Sequence, residues 1–370
     1  MMEESIRALA FLLPQYHPIP ENDEWWGKGF TDWTNVARAR PLFDGHYQPH
    51  LPADLGFYDL RLAETRQAQA GLARKYGIHG FCYYHYWFNG RRILERPVND
   101  MISSGAPNYP FCLCWANENW TRRWDGWEEE ILLKQVYSPE DDIQHIRALL
   151  PVFLDPRYIK VDDKPLFLVY RIGRLPEPAA TIRRWRHEAA KAGLPGLYLA
   201  NIESFASEHG AAARLPLDAG IEFAPDWQCL APPIRPTRRQ PPLFRKQPGD
   251  PAWWDNSISD YRSLVQAMRA KPGTDYLRYR CVTPMWDNAA RRKSNATVLI
   301  NSTPEIYGRW LADTVRDFVP PSREENFVFI NAWNEWAEGS HLEPCQKWNH
   351  SYLEATRAAL QSKNALAFHA

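Results

Sequence analysis

The chain has 370 residues, with 44 basic and 44 acidic side chains and so no formal net charge, which argues against an electrostatic nucleic-acid binder. No apolar run reaches the roughly 18 residues of a membrane span. Its acidic start lacks the basic opening of a secretory signal, and its six cysteines suit buried thiols better than a disulfide framework, so a reduced cytoplasmic protein is expected.

Short apolar runs bounded by turn residues read as strands near Ala8–Leu13, Gly80–Tyr84, Phe111–Trp115, Leu166–Val169, Leu197–Ala200, Gly220–Phe223, Cys281–Met285 and Phe327–Ile330. Amphipathic stretches lie between most of them. Arg61–Tyr76 stops at Gly77, and Pro139–Leu150 opens with Ser138 as N-cap, a proline at the first helical position and an acidic first turn. Thr181–Ala192, Tyr261–Ala270 and Ile306–Phe318 complete the set. Eight strands alternating with helices or long loops predict a (β/α)8 TIM-type barrel with long βα loops, in one catalytic domain over 1–370. A doubly wound open sheet is the rival, but the first strand runs into Pro14-Gln15-Tyr16-His17 and not into a glycine-rich dinucleotide turn. Two insertions stand out, at about 16–60 and 231–250. The second is rich in proline and arginine: first a semi-rigid spacer, and alternatively a basic lid meeting an anionic or lipid-linked substrate.

In such a barrel the working groups gather at the C-terminal strand ends. Read in order, those ends supply Tyr16 and His17; His85 and Trp87; Trp115, Asn117, Glu118 and Trp120; Tyr170 and Arg171; Glu203; Trp227; Trp286; and Asn334 and Trp336, all candidate substrate-binding residues. The composition supports sugar stacking, with 17 Trp, 17 Tyr and 16 Phe. Glycosidic chemistry needs one carboxyl to protonate the leaving oxygen and a second to assist at the anomeric centre. Glu335 and Glu338, three positions apart among tryptophans, are the candidate catalytic pair. On a helical turn they would share a face, at the close spacing that retaining enzymes use. The plain alternative is that one of them simply binds an arginine on the surface. Glu118 is a second candidate acid, ranked below the pair. His17 and His85 lack metal-ligand spacing, and no cofactor or metal is expected. No P-loop, dinucleotide fingerprint, nucleophile elbow or Asp-x-Asp occurs.

At Leu13-Pro14-Gln15-Tyr16-His17-Pro18, Gly29-Phe30-Thr31-Asp32-Trp33, Gly80 to Trp87, Trp115-Ala116-Asn117-Glu118-Asn119-Trp120, Asp163-Lys164-Pro165 and Trp333-Asn334-Glu335-Trp336-Ala337-Glu338-Gly339, continuing to Leu342-Glu343-Pro344, the chain resembles the WbsX-like family of polysaccharide loci. That family is regarded as related to glycoside hydrolase family 99. The resemblance implies a (β/α)8 barrel and retaining endo-α-mannosidase-type chemistry. In it Glu335 acts as base on the sugar's own 2-hydroxyl, giving a 1,2-anhydro sugar, and Glu338 protonates the departing oxygen and later activates water. Those hydrolases carry His where this chain has Ala337, which loosens the inference to mannose.

Three functions remain open. The first is a retaining endo-glycoside hydrolase on a bacterial surface polysaccharide or oligosaccharide. The second is a glycosyltransferase in O-antigen, lipopolysaccharide or other polysaccharide assembly, and the third a non-catalytic glycan-binding barrel. In each the partner is a glycan, with no nucleic acid and no transmembrane segment.

Overall fold

A computed structural model describes residues 6–122, 127–234, 255–292 and 294–366. The basic segment expected at 231–250 lies outside the described residues from position 235 onward.

Strands β1 (Arg7–Leu12), β2 (Ile78–Phe88), β3 (Phe111–Trp115), β4 (Lys164–Val169), β5 (Tyr198–Glu203) and β6 (Ala219–Glu222) pair in parallel in chain order. The seventh stave, β7, comes in two pieces. Arg278–Tyr279 pairs with β6, and Cys281–Val282 pairs with β8 (Phe327–Ile330). Since β8 also pairs with β1, the ring is closed, a (β/α)8 barrel as the alternation predicts. All eight expected strands fall on these staves.

A helix follows every stave. The five expected ones are Ala63–Lys75, Pro139–Phe153, Pro178–Lys191, Tyr261–Arg269 and Pro304–Asp317. Arg96–Ser104, the short Ala211–Arg214 and the C-terminal Ser351–Leu366 complete the outer layer. Ser138 caps its helix as its sequence predicts, its side chain accepting from the Asp141 N–H at 3.1 Å. Barrel strands covered by helices are buried on both faces, which is why they read as unbroken apolar runs and not as alternation. Inside the ring Phe11 meets Tyr84, Phe223 and Phe329 with centroids 5.6, 6.2 and 5.7 Å away, so the barrel has a packed floor and not a pore. The six cysteines are free thiols, all but Cys229 buried. Among the described residues no helix is long and apolar enough to cross a membrane.

The first insertion starts and ends at one point, because the Leu60 N–H donates to the Tyr16 carbonyl at 3.0 Å. Between these ends it carries two short helices, Pro20–Trp26 and Asp32–Arg38, the second entered through a Thr31 capping box. A loop with joined ends and internal packing can hold side chains over a barrel mouth as firmly as a helix does.

Candidate active site

Beyond β8 the chain makes a two-residue strand, Asn334–Glu335, and one tight turn, Trp336–Glu338, closed by Gly339 at φ 55°. A side chain is excluded at Gly339 on two grounds. The backbone is left-handed, and a Cβ would come within 2.8 Å of the Asp287 backbone. The Asp287 N–H in turn donates to the Glu338 carbonyl at 2.7 Å, so this turn and the loop after β7 are locked together.

That contact delivers Arg291 to the acids. One of its terminal nitrogens lies 2.8 Å from Glu335 Oε2 and 2.8 Å from Asp32 Oδ2, and the other lies 2.7 Å from Glu338 Oε1. The surface arginine pair raised as the plain alternative is therefore not what forms: Arg291 is a shared partner of both acids, held inside the protein. Glu335 is 5% exposed. Three carboxyls around one guanidinium would leave an excess of two negative charges in a desolvated place. Burial above all, then repulsion from Glu338 and Asp32, pushes the Glu335 carboxyl up to about 8 against the attraction of Arg291. The same carboxylates hold the Arg291 guanidinium well above its ordinary range, although burial opposes them, so it remains a cation.

The neighbours of the acids are scaffold. The Asn334 amide copies a strand edge: Oδ1 accepts from Leu13 N–H at 2.7 Å and Nδ2 donates to Leu13 O at 3.0 Å, prolonging the β1–β8 ladder by side chain. The Tyr16 hydroxyl donates to the Asn334 carbonyl at 2.6 Å and accepts from the Trp336 N–H at 3.2 Å. Trp336 stacks on His341 with centroids 3.8 Å apart, and its indole donates to Glu343 at 2.7 Å. Glu343 also accepts from Tyr58 and Gln69, at 2.8 and 2.7 Å; burial lifts it to about 7 despite those donors. Thus Tyr16, Asn334 and Trp336, expected to bind sugar, fix the acid turn instead.

A cavity of about 830 Å³ opens above Glu335 and Glu338. Of the expected residues, Asn117, Glu118, Trp120, Tyr170, Trp227 and Trp286 line it together with the two acids. Trp120 and Trp25 meet edge to face at 5.7 Å on one side, and Trp227 and Trp286 at 5.5 Å on another. Such aromatic walls interleaved with many polar side chains suit sugar rings.

Five other expected residues turn away from the cavity. On β2 successive side chains alternate between faces. Tyr84 and Tyr86 face inward and line the cavity, while His85 and Trp87 point out under the helix Pro139–Phe153. There His85 Nε2 meets His145 Nε2 at 2.9 Å, and the Trp87 indole donates to Asp141 at 3.0 Å. Burial first, and His145 second, holds His85 far below its usual range and therefore neutral. Trp115 likewise packs outward, against Trp185 and His145 at 5.8 and 4.5 Å. Glu203 is sealed behind β6, where it accepts from Tyr276 and from the Gly210 N–H at 3.1 Å. His17 is buried beside Asp59, and desolvation lowers it to about 4. Arg171 supports from behind: its guanidinium bridges Glu118 at 2.6 Å and Glu208 at 3.0 Å.

Two residues of the acid cluster carry no signal that strand ends alone reveal. Arg291 lies in the loop after β7, beyond Asp287, and Asp32 is the first residue of a helix inside the first insertion. Tyr86 stands at its strand end between His85 and Trp87, and Tyr84 lies one alternation before it. Burial, and after it Tyr170 and Glu335 for Tyr84 and Glu335 for Tyr86, keeps both hydroxyls protonated as donors. Gln15, Asn22, Trp25 and Trp26 come from the start of the first insertion. Among the described residues no group of three or more His, Cys, Asp or Glu side chains is arranged to hold a metal ion.

Comparison with known proteins gives the same picture of the fold. Solved structures similar to it include a glycoside hydrolase-like protein, with TM-score 0.60 and 11% identity over 97% of this chain and 95% of the other. The GH99 endo-alpha-mannosidase from Bacteroides thetaiotaomicron, in complex with BIS-TRIS-propane, aligns with TM-score 0.57 and 13% identity over 98% of this chain and 99% of that one. In sequence, the protein WxcX of Xanthomonas campestris pv. campestris, in strains B100 and ATCC 33913, is 44% identical over 354 residues, or 95% of this chain. The chain spans about half the length of these curated relatives, 49%. The family described as Glycosyltransferase WbsX matches residues 8–356, and the chain belongs to that family.

Proposed function

We propose that the protein is a retaining, endo-acting glycoside hydrolase on a surface polysaccharide or its oligosaccharides, with Glu335 and Glu338 as its acid–base pair. The observation that carries this is the single guanidinium of Arg291 holding both carboxyls beside one aromatic-walled cavity. Sharing one small cation makes the carboxyls near neighbours, which favours retention, at roughly 5–5.5 Å, over inversion, where an intervening water needs roughly 6.5–9.5 Å.

In the mechanism that family 99 resemblance implies, Glu335 takes the proton of the sugar 2-hydroxyl. That oxygen bonds to the anomeric carbon as the glycosidic bond breaks, while Glu338 gives its proton to the leaving oxygen. Water, deprotonated by Glu338, then opens the 1,2-anhydro ring, and Glu335 returns the proton to O2. The pair must therefore hold one proton between them at each stage, and such coupled groups titrate as a unit. A carboxyl raised to about 8 is suited to take the 2-hydroxyl proton and to hold it on Glu335 until the second half returns it. Tyr84 and Tyr86, protonated donors on the cavity wall, are available to sugar oxygens.

The family's description favours a second reading, a transferase in which a sugar hydroxyl replaces water in the second half. Product analysis on mannose- and rhamnose-containing glycans separates the two. New reducing ends with retained anomeric configuration support hydrolysis, and lengthened glycans without free sugar support transfer. Unchanged glycans that nevertheless bind would reject both enzymatic readings.

A further inference from the structure

The polar groups around the cavity divide by whether they already have partners. Asn117, Asn334, Arg171 and Tyr16 are satisfied by the protein. Among the described residues, Asn22 has no partner for either amide atom, although its side chain is fully buried and the residue lines the cavity. Gln15, 4% exposed and also lining the cavity, leaves its Nε2 unpaired. A buried polar group without a partner costs about 1–3 kcal/mol, and native proteins carry few of them away from functional sites.

These two residues belong to the same wall. Gln15 follows β1, and its carbonyl accepts the Asp32 N–H at 3.1 Å, which joins it to the acid cluster. Asn22 lies in the helix Pro20–Trp26, whose last two residues are the partly exposed Trp25 and Trp26. Trp25 meets Trp120 across the mouth. An indole face and an amide with both a donor and an acceptor are what one pyranose ring asks of a protein: a platform for its C–H face and a partner for adjacent hydroxyls.

Resting on the glycan reading above, we infer that the loop after β1 forms a separate sugar subsite, in which Asn22 and Gln15 take the hydroxyls of a neutral sugar unit lying on Trp25 or Trp26, next to the unit held at Glu335 and Glu338. The amide chemistry selects a neutral sugar, because a carboxylate or phosphate would use the donors and leave the Asn22 carbonyl oxygen unpaired. Asn22 is closed to water, so the sugar reaches it with a small shift of its short helix, whose start has no side-chain cap to hold it. Because its desolvation is already complete, hydroxyls that reach it recover the cost of the unpaired amide.

The test uses manno- and rhamno-oligosaccharides from disaccharide to pentasaccharide, titrated calorimetrically against Glu335→Gln and against Glu335→Gln carrying Asn22→Leu. The subsite predicts at least about tenfold weaker binding of the longer glycans by the double variant. Methyl mannoside and methyl rhamnoside, single units too short to span both positions, should bind the two proteins alike. It also predicts a melting temperature unchanged or raised by Asn22→Leu, since an unpaired buried amide is removed. A purely structural asparagine would lower the melting temperature and leave affinity alone. Equal affinities at every length overturn the subsite while the glycan reading stands, whereas no binding by either protein overturns both. Should Asn22→Leu misfold, Asn22→Asp keeps the shape but loses the donors, and undiminished binding of the long glycans by that variant overturns the subsite as well.

Discussion

The dipeptide Asn-Glu occurs at two stave ends, Asn117-Glu118 after β3 and Asn334-Glu335 after β8, and the two are built alike. In each the asparagine clamps both backbone groups of a residue at the end of the next stave. Asn117 holds Arg171 at 2.8 Å twice, and Asn334 holds Leu13 at 2.7 and 3.0 Å. In each the glutamate then reaches the cavity and meets an arginine. The difference lies in charge balance and burial. Arg171 serves two carboxylates, and the Glu118 side chain is 32% exposed. Arg291 serves three, and the Glu335 side chain is 6% exposed. Local geometry is shared by the two glutamates; what distinguishes Glu335, the acid proposed as catalytic, is a desolvated surplus of carboxyls that raises its pKa.

The comparison is broken most directly at the glutamates. Glu335→Gln is expected to lower kcat by about 10²–10⁴-fold, the usual worth of a positioned acid or base. Glu118→Gln should cost less than about tenfold, since it removes the charge facing Arg171 and leaves the proposed acid–base pair intact. With wild type, kcat/KM should fall above about pH 8, as the pair loses its last proton. The same substitution reports on stability with a defined sign. Because the folded Glu335 keeps its proton up to about 8 while the unfolded one releases it near its ordinary 4.5, stability falls as pH rises between the two. Glu335→Gln abolishes that loss, so its melting temperature should exceed wild type by an amount that grows with pH across this window. A variant that melts lower than wild type at pH 8 contradicts the buried surplus of charge.

The arginines give the next largest effect. Removing one partner of a buried ion cluster costs about 3–5 kcal/mol, because the remaining charges stay uncompensated. Arg291→Met should lose this much in urea denaturation, and Arg171→Met less, since water reaches Glu118. Equal losses would erase the distinction drawn between the two clusters. Smallest are the clamps: Asn334→Ala and Asn117→Ala should each cost about 1–3 kcal/mol for the backbone groups left unpaired. Only Asn334→Ala should also lower kcat, through the acid turn that it positions.

The frame of the barrel was legible because its staves are apolar runs separated by caps and turns, and five of its helices carry the same punctuation. The phase of each stave was not. A strand buried on both faces offers no polar-apolar alternation to say which side chains point inward. That is how His85 and Trp87 were preferred to Tyr84 and Tyr86, and Trp115 to its inward neighbours. Motif density points to the turn at Glu335 and Glu338, which the structure places at the cavity, yet half of that density is scaffold: Asn334, Trp336 and Glu343 spend their polar atoms on the protein. Arg291 and Asp32 escaped notice because their partnership spans 259 positions of sequence, and nothing local to either marks it. The C-terminal helix Ser351–Leu366 was missed as well; its first half, with Tyr352, Leu353 and Thr356, packs on the helix before β8 through bonds such as Tyr307 to Thr356 at 3.0 Å.

The divided seventh stave has a mechanical consequence. Its first piece is registered only with two residues of β6 and its second with two of β8, so the cylinder is zipped shut by its shortest joint. The strand ends flanking that joint hold Arg291 on one side and Glu335 on the other. Opening of the seam would have to part Arg291 from Glu335 against the Asp287-to-Glu338 bond that ties their loops together. Amide exchange at Val282 and Ile330 is the measurement that reads such opening, and it should quicken in Arg291→Met.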